Sequence, residues 1–313
     1  MAADYYWVGV VLAICAGANN NVGTLLQKQV VNVVAQDQHF GRSLLKSPRW
    51  MVGFLMQVVL GTILMMTAQT FVGPGIVPGL MASGLIVLAI GSVKILKESL
   101  KPSEYAGVFL LIAAMVMLSQ SHLSIDLTTA NFLAPDFILR TVIFTVIIFG
   151  LFGFIYLLQR RMAPRRGVLL ALCSGLTIAT SNYWVALLIG VFAHVMGGTF
   201  RPGELIIFVT AAIILVGANL LGLVTIQKAF TSGQASNLIP VQYVPMQLSP
   251  IFVYFLVFFY TPPSLLAAIL GVGGIFAVII SGFLLGRRQA QIDRIKVPTP
   301  EILPDQEVMD VKS

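Results

Sequence analysis

The chain has 313 residues, 58% of them hydrophobic and 10% charged, with a mean hydropathy of +0.92 and a formal net charge of +7. A soluble domain carries about 25% charged residues, so this composition excludes a soluble enzyme or nucleic-acid binder and describes a polytopic membrane protein in contact with a lipid bilayer. Two cysteines and three scattered histidines (His39, His122, His194) supply neither a disulfide framework nor a metal cluster, and no cofactor is expected.

A spanning helix needs about 20 mostly apolar residues. Nine stretches meet that length: about 5–27, 50–72, 75–96, 102–120, 137–159, 167–195, 204–229, 236–259 and 263–286. Met1 to Trp7 lacks a basic region, so no cleavable signal peptide is expected. The basic residues then set the sidedness. Lys28, Arg42, Lys46 and Arg49 follow the first stretch, and Lys94, Lys97 and Lys101 lie between the third and fourth. Arg160, Arg161, Arg165 and Arg166 separate the fifth from the sixth, Lys228 lies at the break from the seventh to the eighth, and Arg287, Arg288, Arg294, Lys296 and Lys312 end the chain. A nine-helix arrangement puts all of these on one face and leaves only Arg140 and Arg201 on the other. The N-terminus is therefore expected outside and the C-terminus in the cytoplasm of a cell membrane.

Two motifs recur in the same order. Leu12-Ala13-Ile14-Cys15-Ala16-Gly17 matches Leu170-Ala171-Leu172-Cys173-Ser174-Gly175. Thr67-Ala68-Gln69, followed by Phe71, Gly73-Pro74-Gly75 and Val77-Pro78, matches Thr225-Ile226-Gln227, followed by Phe230, Ser232-Gly233 and Ile239-Pro240. The expected fold is an all-α integral membrane protein with nine transmembrane helices. Residues 1–136 form a first four-helix repeat, 137–160 a connecting fifth helix, and 161–286 a second repeat. Residues 287–313 form a cytoplasmic disordered tail. An odd number of helices separates the copies, so the repeats are inverted, around a central cavity. Short Gly/Pro-interrupted segments at matched positions of two halves point to a transport site.

Polar groups at membrane depth are tolerated where protein or a water-filled cavity satisfies them. The stretch Asn219–Pro250 carries Gln227, Gln234, Asn237, Gln242 and Tyr243 together with Pro240, Pro245 and Pro250. Asn19, Asn20 and Asn21 are consecutive, so on a helix they cannot all face one way; at least one should face a cavity or cap a break. The candidate substrate pathway is Asn20, Asn21, Gln69, Asn182, Tyr183, Trp184, Gln227, Asn237, Gln242 and Tyr243. Glu98, among Lys94, Lys97 and Lys101, is either an ion pair at a helix end or a gate or coupling residue. Gly17, Gly23 and Gly271 to Gly274 read as close helix packing, and Trp50 as an interface anchor. No acid–base pair lies within the spans, so an enzyme is not expected.

Further short motifs carry a family resemblance. Leu26-Gln27-Lys28 ends the first stretch, Ser47-Pro48-Arg49-Trp50 leads into the second, and Ala68-Gln69-Thr70-Phe71 ends it. Ile95-Leu96-Lys97-Glu98-Ser99-Leu100 closes the third. The second half has Ile226-Gln227-Lys228-Ala229 and Asn237-Leu238-Ile239-Pro240-Val241-Gln242-Tyr243-Val244, but Phe258-Phe259-Tyr260 where the first has Lys97-Glu98. Over about residues 8–286 the chain resembles the drug/metabolite transporter superfamily, with its EamA-like inverted repeat, and within it the NIPA-like magnesium transporter branch. The resemblance implies nine spans and a secondary transporter working by alternating access, moving a divalent cation such as magnesium. The residues themselves leave open a small polar organic metabolite or drug as substrate, a non-transporting receptor or assembly subunit, and a homodimer.

Overall fold

The computed structural model describes residues 2–35, 37, 40–72, 77–121, 123, 131–162 and 165–296. His39, Gly73 to Ile76, His122, Asp126 and the tail from residue 297 lie outside them. Twelve α-helices follow in order: α1 Ala2–Val34, α2 Phe40–Lys46, α3 Pro48–Leu55, α4 Gly61–Val72, α5 Val77–Met81, α6 Gly84–Lys94, α7 Pro102–Gln120, α8 Pro135–Arg161, α9 Arg166–Met196, α10 Pro202–Ser232, α11 Ala235–Phe252 and α12 Leu265–Lys296. Among the described residues seven helical runs are long and apolar enough to cross a membrane: Tyr6–Val34, Pro48–Val72, Pro102–Gln120, Pro135–Arg161, Arg166–Met196, Pro202–Ser232 and Leu265–Arg287. The chain is a multi-span membrane protein.

The two remaining expected spans depart from a plain helix. The third is split into α5 and α6 at Ala82–Ser83. The eighth is α11, with Pro240, Pro245 and Pro250 inside it and a π turn, Val253–Val257, at its end. Each proline lacks an N–H, which frees the carbonyl four residues back, on Ser236, Val241 and Met246. A second π turn, Met56–Leu60, joins α3 to α4. α12 continues to Lys296, so its described part carries helix through Arg287 and beyond, where a disordered tail was expected.

α1 and α9 are the most enclosed of the spans, while α8, α3–α4 and α10 keep most of their apolar surface outward. On α8 this exposed face includes Leu139, Val146, Ile147, Phe154 and Leu157, the surface that lipid covers. α1 packs on α3–α4 and on α5–α6; α9 packs on α10 and on α11; α7 packs on α12. The matched glycines explain two of these contacts. A Cβ on Gly17 would lie 2.1 Å from the Met81 carbonyl oxygen, and one on Gly175 would lie 2.2 Å from the Gln242 carbonyl oxygen. Each recurring motif thus ends on a glycine that lets its helix touch the backbone of the interrupted helix in the same half. Gly23 and Gly53 approach each other's backbone in the same way, and Gly274 meets Leu118 and the Ala114 carbonyl on α7.

The interrupted helices also end alike. Lys97 and Phe259 both have positive φ, 57° and 56°, an uncommon conformation that is costly for a bulky residue. The following amides each reach back six residues, Glu98 N to Ser92 O at 3.0 Å and Tyr260 N to Tyr254 O at 3.1 Å. The backbone is the same where the side chains differ most.

Candidate functional site

The break between α10 and α11, at Gly233–Gln234, gathers polar groups from four other parts of the chain. An α-helix leaves its last carbonyls and first N–H groups unpaired, with partial negative and positive charge respectively. At this break each end meets a charge of the opposite sign. The Lys28 ammonium, on buried α1 surface and 4% exposed, donates to the Gly233 carbonyl at 2.6 Å and to the Phe230 carbonyl. It also lies 5.6 Å from the centre of the Phe230 ring. The Glu98 carboxylate, 8% exposed, accepts from Ala235 N at 2.8 Å, Ser236 N at 3.1 Å and the Ser236 hydroxyl at 2.7 Å. Glu98 therefore caps α11 from the loop after α6. Gln289 of α12 accepts from Gln234 N at 3.0 Å.

Glu104 completes the cluster. It is fully buried at the third position of α7, accepts from Lys101 N to close that helix's N-terminus, and accepts from Asn237 Nδ2 at 2.6 Å. Sequence reasoning passed over it. The signal was present in Lys101-Pro102-Ser103-Glu104, a proline at the first helical position and an acid at the third, which puts the carboxylate inside the spanning segment.

A second polar line crosses from α1 to α10. Gln227 Nε2 donates to Gln27 Oε1, Gln27 Nε2 to Gln57 Oε1 at 2.7 Å, and Gln57 Nε2 to Thr24 Oγ1 at 2.7 Å and the Asn20 carbonyl at 3.0 Å. Gln27 and Gln227 are each 2% exposed. Asn19 donates to the Met56 carbonyl at 2.5 Å, at the start of the π turn, and Asn21 donates to the Gly17 carbonyl at 2.9 Å. The three consecutive asparagines do point apart, and Asn19 serves an irregular turn of the neighbouring helix. The side-chain oxygens of Asn20, Gln227 and Asn237 are buried without a hydrogen-bond partner among the described residues.

The other candidates lie elsewhere. Gln242 donates to Ser174 Oγ at 2.8 Å, which donates to the Gly222 carbonyl at 2.7 Å, tying α11, α9 and α10 together. Tyr183 shares a 2.6 Å hydrogen bond with Thr141, and Trp184 donates to Thr145 at 3.2 Å, so both rings pack against α8. They belong to an apolar cluster with Phe132, Phe144 and Val257, apart from the amide line. Asn182 is exposed, Gln69 and Tyr243 are half-buried, and Tyr243 packs beside the largest apolar cluster. Trp50 is 3% exposed and stacks on Phe54, a core position where an interface anchor was expected. At the far end of α11, Arg140 lies 4.1 Å from the Phe259 ring and donates to the Val257 carbonyl. Among the described residues no three His, Cys, Asp or Glu side chains converge as a metal-ion site.

No family profile matches the chain, and no solved structure matches it. The chain is similar to a probable magnesium transporter, NIPA9 of Arabidopsis thaliana, with 29% identity over 105 residues. The match covers 33% of this chain and 30% of that protein, so the chain spans under a third of the length of the relative it matches.

Proposed function

We propose that this chain is a secondary membrane transporter that moves a divalent cation such as magnesium by alternating access, through nine spans arranged as two inverted four-helix repeats. The observation that carries the reading is the pairing of its two interrupted helices. Gly17 against Met81 and Gly175 against Gln242 make the same contact, and Lys97 and Phe259 end the third helix of each half in the same way. Duplicated broken helices whose freed carbonyls line a midplane site are the architecture of many secondary transporters. The similarity to a probable magnesium transporter supports the cation as substrate.

In this reading the amide line Gln57–Gln27–Gln227 borders the pathway between the halves, with Asn20 beside it, Asn237 in the adjoining Glu104 cluster and Gln69 farther along α4. Magnesium keeps several of its waters and binds through few carboxylates. Amide oxygens such as those of Asn20, Gln227 and Asn237 suit outer-shell hydrogen bonds to a hydrated ion. The cluster around Gly233 is the gate on the cytoplasmic side, where Glu98 and Lys28 hold the break shut and must let go for the second half to rock. Three buried amide oxygens without donors would also accept from a polar organic solute, and that is the second reading.

The test is uptake into liposomes containing the purified chain, with magnesium, other divalent cations and a panel of neutral polar metabolites. Saturable magnesium uptake is expected, cut strongly in Asn20→Ala, Gln69→Ala and Gln227→Ala variants that remain folded. Uptake of a metabolite in place of magnesium would transfer the reading to the organic solute. Wild-type rates in all three variants would remove the amides from the pathway.

A further inference from the structure

The carbonyls that Lys28 holds have the make-up of a cation site. Phe230 O and Gly233 O lie at the C-terminal end of a 31-residue helix, where the helix dipole concentrates negative charge. The Phe230 ring presents its face to the same position. Freed carbonyls at such half-helix ends coordinate inorganic coupling ions in transporters built on broken helices. Here the occupant is an ammonium on the neighbouring helix, and it is 4% exposed.

We infer that the end of α10 is a binding site for a monovalent cation of ammonium size, and that in this conformation the chain fills the site with its own Lys28. Tethering explains why the lysine is placed where it is. A lysine stem supplies the apolar contact, and its head supplies hydrogen bonds to carbonyls fixed by the break after Ser232. The site is separate from the Glu98 cap, which serves the N–H groups of the next helix. One consequence rests on the transporter reading: a carrier whose cation site is filled in cis needs no free monovalent ion at that position to hold the break shut. The existence of the site does not rest on that reading, and its test involves no transport.

Removing the side chain should empty the site for a free cation. Lys28→Ala leaves both the carbonyls and the space of the stem; Lys28→Met removes the charge and keeps the stem. The purified full chain is unfolded by heat in detergent at constant ionic strength, with n-propylammonium, potassium or tetramethylammonium chloride. Lys28→Ala is expected to unfold below wild type, and propylammonium should raise its midpoint saturably toward wild type. Potassium should do so in part and tetramethylammonium, which has no N–H, not at all. Wild type and Lys28→Met should respond equally to all three salts. If Lys28→Ala is recovered folded only when propylammonium is present during purification, that recovery is the same result. Absence of any saturable rescue overturns the inference, as does a wild-type protein stabilised by propylammonium as much as the variant.

Discussion

Lys28 and Glu98 face the two ends of one helix break, and substitutions at them remove different amounts. A hydrogen bond to a charged group contributes about 1.5–3 kcal/mol, and Lys28 makes two to carbonyls. Glu98 accepts three such bonds, but Glu98→Gln keeps one acceptor oxygen and loses mainly the charge at the helix N-terminus, about 0.3–1 kcal/mol when exposed and up to about 2 kcal/mol when partly buried. Interhelical amide bonds inside membranes average only about 0.6 kcal/mol. Chemical unfolding in mixed micelles should therefore rank the losses as Lys28→Met first, Glu98→Gln second and Gln227→Leu last. A Gln227→Leu loss equal to that of Lys28→Met would mean that the amide line, not the charged break, holds the halves together. The amides themselves were readable from the sequence because polar side chains stand out in apolar runs. Their partners were not, because Gln27 and Gln227 are 200 positions apart and nothing local records which face of α10 turns toward α1. Tyr183 and Trp184 show the converse. Their composition fits a pocket wall, yet Thr141 and Thr145 on α8 take their polar atoms.

Among the elements, the interrupted helices were the most visible in the sequence, since glycine and proline punctuate the chain wherever backbone hydrogen bonds fail. Less visible was the service each recurring motif performs. Gly17 reads as a close-packing position, but only the structure shows that it and its counterpart Gly175 meet the Met81 and Gln242 carbonyls of the interrupted helices. Gly17→Ala and Gly175→Ala each place a methyl group within 2.1–2.2 Å of a carbonyl oxygen on the interrupted helix, and overpacking of this kind costs about 1–3 kcal/mol. Both variants should lose thermal stability and expression by similar amounts. Gly150→Ala and Gly153→Ala, on the outward side of α8 with nothing within 4 Å of an added Cβ, should match wild type or exceed it slightly, since glycine is the poorer helix former. A large loss in the α8 pair would indicate a neighbour on that face, and a second copy of the chain is the first candidate.

For the whole molecule, composition alone identified a multi-span helical protein, and among the described residues seven helices meet the length and apolarity of a membrane span. The nine-span count is harder to read from length, because the third stretch divides into α5 and α6 and the eighth contains three prolines. The charge asymmetry makes a prediction for both. Reporter fusions after Leu45, Leu100, Ala163 and Ala290 should read as cytoplasmic, and fusions after Thr128 and Phe200 should not; a cytoplasmic signal at Thr128 would contradict nine spans. The proposed alternating access is tested most directly by counterflow. Liposomes containing the purified chain are loaded with unlabelled magnesium, diluted into a trace of isotopically labelled magnesium, and followed in time. A carrier that reorients with its substrate accumulates label transiently above equilibrium, and that overshoot is the predicted result. Label that only rises to equilibrium, or enters no faster than in protein-free liposomes, would contradict alternating-access transport of magnesium by this chain.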